Sequence, residues 1–204
     1  MPNFFFQHFW AGLLLWVALY ISDYTLTMFC ARLYAMAVRD KIVIEGSYEL
    51  TPFYQKDIDS LRLISPRFVA VLLIMSVFLY AFWNLTRAAV PEMYLFILGM
   101  LVGVQLAVHV RHLRNLFTFR AAQTDAIRGR IEYSRPMSLR VSAVEMLSFA
   151  GLYFVLFLLT GSWFILGGTL SCLTVAIKHR KLAVKHVAKK IYQSEEMATK
   201  AAAT

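Results

Sequence analysis

Acidic, histidine and amide side chains recur at helical spacing inside apolar segments of this chain. Asp23 and Thr27 are four residues apart in the first such segment. Gln105 and His109 have the same spacing in the third segment, and Glu145 lies in the fourth. Residues three or four apart share one face of a helix. Because ionisable groups inside a membrane are costly unless paired, these residues predict a functional polar cluster.

The residue types suit several kinds of chemistry. Carboxylate oxygens and imidazole nitrogens are ligands for Zn, Mn or Fe, so one alternative is a divalent metal site. That site would use Asp23, His109 and Glu145, with Glu49 contributed by a loop. A carboxylate beside His109 could instead relay protons, and the cluster could also bind a cation or a polar headgroup. The remaining alternative is a structural network in which Asp23 pairs with Arg111.

Haem is disfavoured as a cofactor. His109 and His112 lie close together on one predicted helix, so they cannot both be axial ligands of one iron. The chain also contains no HExxH motif or other tight ligand spacing, so no catalytic motif supports an enzymatic function.

The elements that must position this cluster are membrane helices. The 204 residues are 59% hydrophobic, more than a soluble domain of this size can bury. Apolar stretches cover residues 9–31, 68–83, 91–110, 141–159 and 163–177. They predict an all-α integral membrane helical bundle with about five transmembrane helices. Residues 1–193 form its single domain, and residues 194–204 are predicted to be a flexible tail.

Basic residues fix the predicted orientation. All 21 Lys and Arg residues except Arg87 fall in residues 32–67, in residues 111–140 or after residue 177. The positive-inside rule then places the N-terminus outside and the C-terminus in the cytoplasm, most simply in a prokaryotic inner membrane. The same charges predict anionic lipid headgroups as partners at the cytoplasmic face. Nucleic acid is not predicted as a partner, because no nucleic-acid-binding motif accompanies the charge.

Both predicted cytoplasmic loops carry signs of structure. Residues 39–67 mix apolar and charged side chains around Pro52 and predict an interfacial element, while residues 130–134 alternate as a short strand would. We expect the third helix to extend to Asn115 or Phe119. The two loops should meet on one face, where Glu45 and Glu49 could join the polar cluster. Residues 178–193 either continue the fifth helix or lie on the membrane as a basic amphipathic segment.

Small residues predict where helices pack. Gly99 and Gly103 form a GxxxG pair in the third segment, and Gly167 with Ser171 forms a similar pair in the fifth. We favour packing within one chain over dimerisation.

One pair of short motifs resembles a family. The segment from Ser22 to Thr27, SDYTLT, is followed by Glu49-Leu50-Thr51-Pro52. This pair is similar to the Asp…Thr and Glu-x-Asn-Pro motifs of small uncharacterised prokaryotic polytopic membrane proteins, although Thr51 replaces the Asn. The resemblance covers about 30 residues. It implies that Asp23 and Glu49 belong to one site and that Pro52 shapes the intervening loop.

The sequence therefore predicts a small membrane module for binding or transport, with a cytoplasm-facing cluster of Asp23, Thr27, Glu49, Gln105, His109 and Glu145. One alternative is a membrane-embedded metal-dependent hydrolase. Another is a non-catalytic accessory subunit of a larger membrane complex. A homo-oligomer is compatible with each of these functions.

Overall fold

The computed structural model describes residues 4–202, with side chains described for residues 4–188. Its helices are α1 (Phe4–Gln7), α2 (Phe9–Leu33), which continues as a π-helical turn (Tyr34–Val38), α3 (Gln55–Asp59), α4 (Pro66–Thr86), α5 (Pro91–Gln123), α6 (Arg135–Thr160) and α7 (Trp163–Ala202). The strands are β1 (Ile42–Ile44) and β2 (Ile131–Tyr133). Helices α2 with its π-helical turn, α4, α5 and α6 are each long and apolar enough to cross a membrane. The fold is thus a largely helical bundle, as predicted, and these four helices indicate a multi-pass membrane protein.

The long helices alternate in direction. The indole nitrogen of Trp83 at the end of α4 donates to the carbonyl of Phe6, whereas Phe68 at the start of α4 stacks on Tyr20 of α2. Helix α4 is therefore antiparallel to α2. The segments between α2 and α4 and between α5 and α6 pair through β1 and β2, so both lie at one end of the bundle, which we call the loop face.

Helix α7 is the fifth segment that the sequence predicted to span. Its apolar part, residues 163–177, is shorter than the roughly 20 residues that a spanning helix usually needs. The helix does not turn aside after this part but continues to Ala202. Residues 178–193 therefore extend the fifth helix, the first of the two predicted alternatives. The flexibility predicted for residues 194–204 stays a prediction.

Glycines bring α5 and α7 into backbone contact. A Cβ atom on Gly99 would overlap the carbonyl oxygen of Phe164, and one on Gly103 would lie 2.5 Å from Cα of Gly168. A Cβ on Gly167 would overlap the carbonyl oxygen of Phe96. The GxxxG pair of α5 is thus used within the chain, as the sequence analysis favoured.

The two loops pair through their strands. β1 and β2 are parallel, with Ile42 opposite Ile131 and Ile44 opposite Tyr133. The strand-like alternation in residues 130–134 and the meeting of the two loops are both confirmed. Both loops are shorter than predicted, because helical structure continues to Val38 on one side and to Gln123 on the other. Ile42 is buried with Val38 and with residues near the end of α5, so apolar packing extends these helices beyond the predicted spans.

Serine caps and proline define where α4 and α6 begin. The Ser65 hydroxyl accepts hydrogen bonds from the backbone amides of Arg67 and Phe68, and Ser134 caps α6 in the same way. Proline follows each serine within the first turn, where its missing N–H group costs nothing. Pro136 thus lies in the first turn of α6.

Arg135 joins the start of α6 to the first loop. Its guanidinium group donates to the carbonyl oxygens of Ser47, Glu49 and Leu50 at 2.6–3.2 Å. Its backbone amide donates to the carboxylate of Glu45 at 3.0 Å. Arg135 is only 9% exposed, so this side chain holds the loop against the bundle from inside.

Candidate binding site at the loop face

A cavity of about 390 Å³ lies between α5, α6 and the two paired loops. We call it the larger cavity. It is lined by apolar and polar side chains together: Ile42, Ile44, Tyr48, Glu49, Leu50, Arg111, His112, Arg114, Asn115, Thr118, Phe119, Tyr133, Met137, Ser138, Val141, Ser142 and Glu145. Its volume is in the range of small-molecule sites, and its mixed lining suits an amphipathic occupant.

Arg111 contributes a cation to this cavity. Its guanidinium group donates to the hydroxyl of Ser142 on α6 at 2.9 Å. The Ser142 hydroxyl also lies 2.9 Å from Nδ1 of His179 on α7. Since the serine oxygen accepts from Arg111, its proton is available to His179, whose Nδ1 then accepts as a neutral imidazole. Within residues 4–188, no carboxylate lies within ion-pair distance of Arg111.

His179 gives the fold a pH dependence. Burial, together with the charges of Arg111, Lys178 and Arg135, lowers its pKa to about 4 from an ordinary 6.5. As the pH falls, the unfolded chain takes up a proton near pH 6.5, before the folded chain does. The free energy of unfolding should therefore fall by roughly 3 kcal/mol between pH 6.5 and about 4. Denaturation in detergent across this pH range tests the prediction.

A His179→Gln variant is the control for this titration. Glutamine keeps a polar partner for Ser142 but has no proton to gain, so the variant should show a flatter dependence over the same pH range. An equal loss of stability in both proteins would assign the titration to another group.

Arg114 and Glu145 both line the larger cavity. They form an ion pair between α5 and α6. The second carboxylate oxygen of Glu145 is buried and has no hydrogen-bond partner among the described residues. Nearby, the amide of Asn115 donates to the hydroxyl of Tyr48 at 3.1 Å, and burial raises the pKa of that phenol. Tyr48 is therefore un-ionised at neutral pH.

A second, smaller cavity of about 110 Å³ lies beside the larger one. Asp23, Thr27 and Glu49 all line it, so the two acids that the motif resemblance joins lie at one cavity. Glu49, Arg111 and His112 line both cavities and form the boundary between them.

Asp23 pairs with His112 rather than with Arg111. Nε2 of His112 lies 2.9 Å from the Asp23 carboxylate and 3.0 Å from the hydroxyl of Thr27. The Thr27 proton is donated to the backbone carbonyl of Asp23, so Nε2 of His112 is the donor in this group. His112 is 3% exposed, and its Nδ1 has no partner among the described side chains. The arrangement orients the imidazole and offsets the burial of the carboxylate.

The other predicted residues are placed elsewhere. His109 contacts the hydroxyl of Ser22 at 2.6 Å and the carbonyl oxygen of Gln105 at 2.7 Å, and it lines neither cavity. The side-chain oxygen of Gln105 is buried without a partner in the described part of the chain.

The predicted metal set is not assembled. Asp23 and Glu49 line the smaller cavity, Glu145 lines only the larger one, and His109 lines neither. Among the described residues, no three His, Cys, Asp or Glu side chains are grouped so as to hold a metal ion.

Sequence reasoning missed the two residues at the centre of the site. Arg111 was considered as a basic loop charge and as a partner for Asp23. His112 was placed on the same polar helix face as Gln105 and His109, but neither residue entered the predicted set. Their position at the end of an apolar segment, one helical turn beyond other polar residues, was the available signal.

No protein-family model matches the chain, and the searches of curated proteins and of solved structures found no significant match.

Proposed function

We propose that this chain is a multi-pass membrane protein that binds the phosphate-bearing headgroup of a lipid in the larger cavity. The observation that carries the proposal is Arg111, a half-buried cation that lines the cavity with no carboxylate partner in residues 4–188. A charge removed from water needs a counter-charge, and guanidinium groups bind phosphate oxygens in a bidentate way.

The surroundings of the cavity favour a lipid as the source of the phosphate. Helices α5 and α6 each pack along α7 but make little contact with each other, which leaves the space between them accessible from the side. The cavity also reaches an exposed apolar surface, because Met137 of α6 lines it and is 49% exposed. Acyl chains could lie on this surface while the headgroup reaches Arg111.

In the proposed orientation, the larger cavity lies at a depth that suits a lipid headgroup. With five spans, the N-terminus outside and the C-terminus in the cytoplasm, the loop face is on the cytoplasmic side, to which the charge pattern of the sequence assigns every basic residue except Arg87. The larger cavity then lies at the level of the inner-leaflet headgroups, which the basic loops would also attract. This assignment rests on the charge pattern.

Thermal unfolding of the purified protein in mild detergent tests the proposal. Adding a phospholipid should raise the unfolding midpoint to a saturating value, because a ligand that binds only the folded state stabilises it. Diacylglycerol with the same chains but no phosphate should have a much smaller effect. For Arg111→Gln, the apparent affinity should fall about tenfold, as expected for loss of a charge-assisted hydrogen bond.

Arg87→Gln is the matched control. Arg87 stands at the opposite end of the bundle, over the ring of Trp83, so its replacement should leave lipid binding unchanged. Equal effects of phospholipid and diacylglycerol, or equal binding by the Arg111 variant, would contradict the proposal. A full stabilising effect of inorganic phosphate alone would show that the ligand is a soluble anion.

A further inference from the structure

We infer that the headgroup bound in the larger cavity carries an ammonium group next to its phosphate, and that Glu145 recognises it. The inference rests on the proposed function. It names the class of headgroup: an ethanolamine-type zwitterion rather than a purely anionic headgroup.

The charges that line the cavity favour a zwitterion. Two cations, Arg111 and Arg114, are matched by two carboxylates, Glu49 and Glu145. The formal charges of these four side chains cancel. A purely anionic headgroup would meet Arg111 favourably but would be repelled by both glutamates, whereas a zwitterion complements both signs.

Glu145 is the carboxylate with capacity for a further donor. One of its oxygens contacts Arg114, while the other is buried and unpartnered among the described residues. A buried carboxylate oxygen that receives no hydrogen bond is costly, so a donor from the occupant would be favourable there. Glu49 differs, because one of its oxygens accepts the backbone amide of Thr51 at 2.7 Å and neither oxygen is buried without a partner among the described residues.

The spacing along α6 fits one headgroup. Ser142, which holds the guanidinium group of Arg111, lies three residues before Glu145 on the same side of the helix. This separation is about 4.5 Å along the helix axis. The two-carbon linker of ethanolamine can place a phosphate beside Arg111 and an ammonium group beside Glu145.

A series of lipids with identical chains tests this inference on the unaltered protein. Phosphatidylethanolamine, its monomethyl and dimethyl derivatives, and phosphatidylcholine differ only in the number of N–H donors. Apparent affinity from thermal unfolding should fall along the series, by about tenfold from the first member to the last, because a charge-assisted hydrogen bond is lost. Phosphatidylglycerol should bind more weakly than phosphatidylethanolamine.

A Glu145→Gln variant should bind phosphatidylethanolamine and phosphatidylcholine equally. The matched control is Glu132→Gln, which removes an exposed carboxylate that is also paired with an arginine, Arg130, and it should keep the preference. Equal affinity across the methyl series in the unaltered protein would overturn the inference, as would a preference that survives in Glu145→Gln. These results differ from failure of the proposed function, in which no phospholipid would exceed diacylglycerol.

Discussion

Replacing Gly99 with alanine should cost about 3 kcal/mol of unfolding free energy and separate α5 from α7. The added Cβ would overlap the carbonyl oxygen of Phe164, a backbone atom that cannot move without moving α7 itself. Because α7 carries His179, the change should also weaken the contact between His179 and Ser142 at the larger cavity. Equilibrium unfolding in detergent, followed by circular dichroism, measures the loss.

Gly151→Ala is the matched control for this substitution. Gly151 lies within α6, and a Cβ there would meet nothing within 4 Å. Alanine favours helix over glycine, so this variant should be unchanged or more stable by up to about 1 kcal/mol. Equal stability of the two variants would show that α5 and α7 are not in backbone contact.

Replacing Arg135 with alanine is expected to destabilise the loop face by a similar amount. The substitution removes the side-chain donor to the half-buried carbonyl oxygens of Ser47 and Leu50, and one of the two donors to that of Glu49, which also accepts from Gln55. Unsatisfied buried groups cost about 1–3 kcal/mol each, and partial access of water should limit the total to about 3 kcal/mol. Unfolding free energy gives the magnitude, and limited proteolysis should show faster cleavage between residues 45 and 55.

Two further variants separate geometry from charge at this position. Arg135→Lys retains the cation, but a single ammonium group cannot reach three carbonyl oxygens as the planar guanidinium group does, so most of the loss should remain. Arg130→Ala removes a 61% exposed arginine of the loop between α5 and α6 and should change stability by less than about 1 kcal/mol. Full stability of Arg135→Lys would mean that charge alone holds the loop.

Much of the fold could be predicted from the sequence because lipid imposes simple requirements. Long apolar stretches must be helical, and glycine pairs allow close helix approach, so the long helices and the packing of Gly99 were predictable. The extents of α2 and α5 were not. Those helices continue beyond their apolar parts because Ile42 and Phe119 belong to one buried apolar cluster at the loop face. The cluster joins residues that are distant in sequence.

The site was only partly predictable, for a related reason. Helical spacing identifies a face but not what that face meets, and both His109 and His112 contact α2. His112 meets Asp23, whereas His109 meets Ser22 and lies outside both cavities. The pairing of Asp23 with His112 rather than with Arg111 leaves the arginine without a carboxylate partner in the described residues, and spacing along one helix does not reveal this.

Photo-crosslinking with a lipid tests most directly whether the larger cavity holds a headgroup. A phosphatidylethanolamine with a photoreactive group near its phosphate would be incorporated with the protein into bilayer discs, irradiated, and located by peptide mass spectrometry. The proposed function predicts crosslinks concentrated in residues 111–118 and 137–145, and a strong reduction of these crosslinks in Arg111→Gln. Crosslinks spread over the exposed face of α4, or unchanged by that substitution, would contradict it.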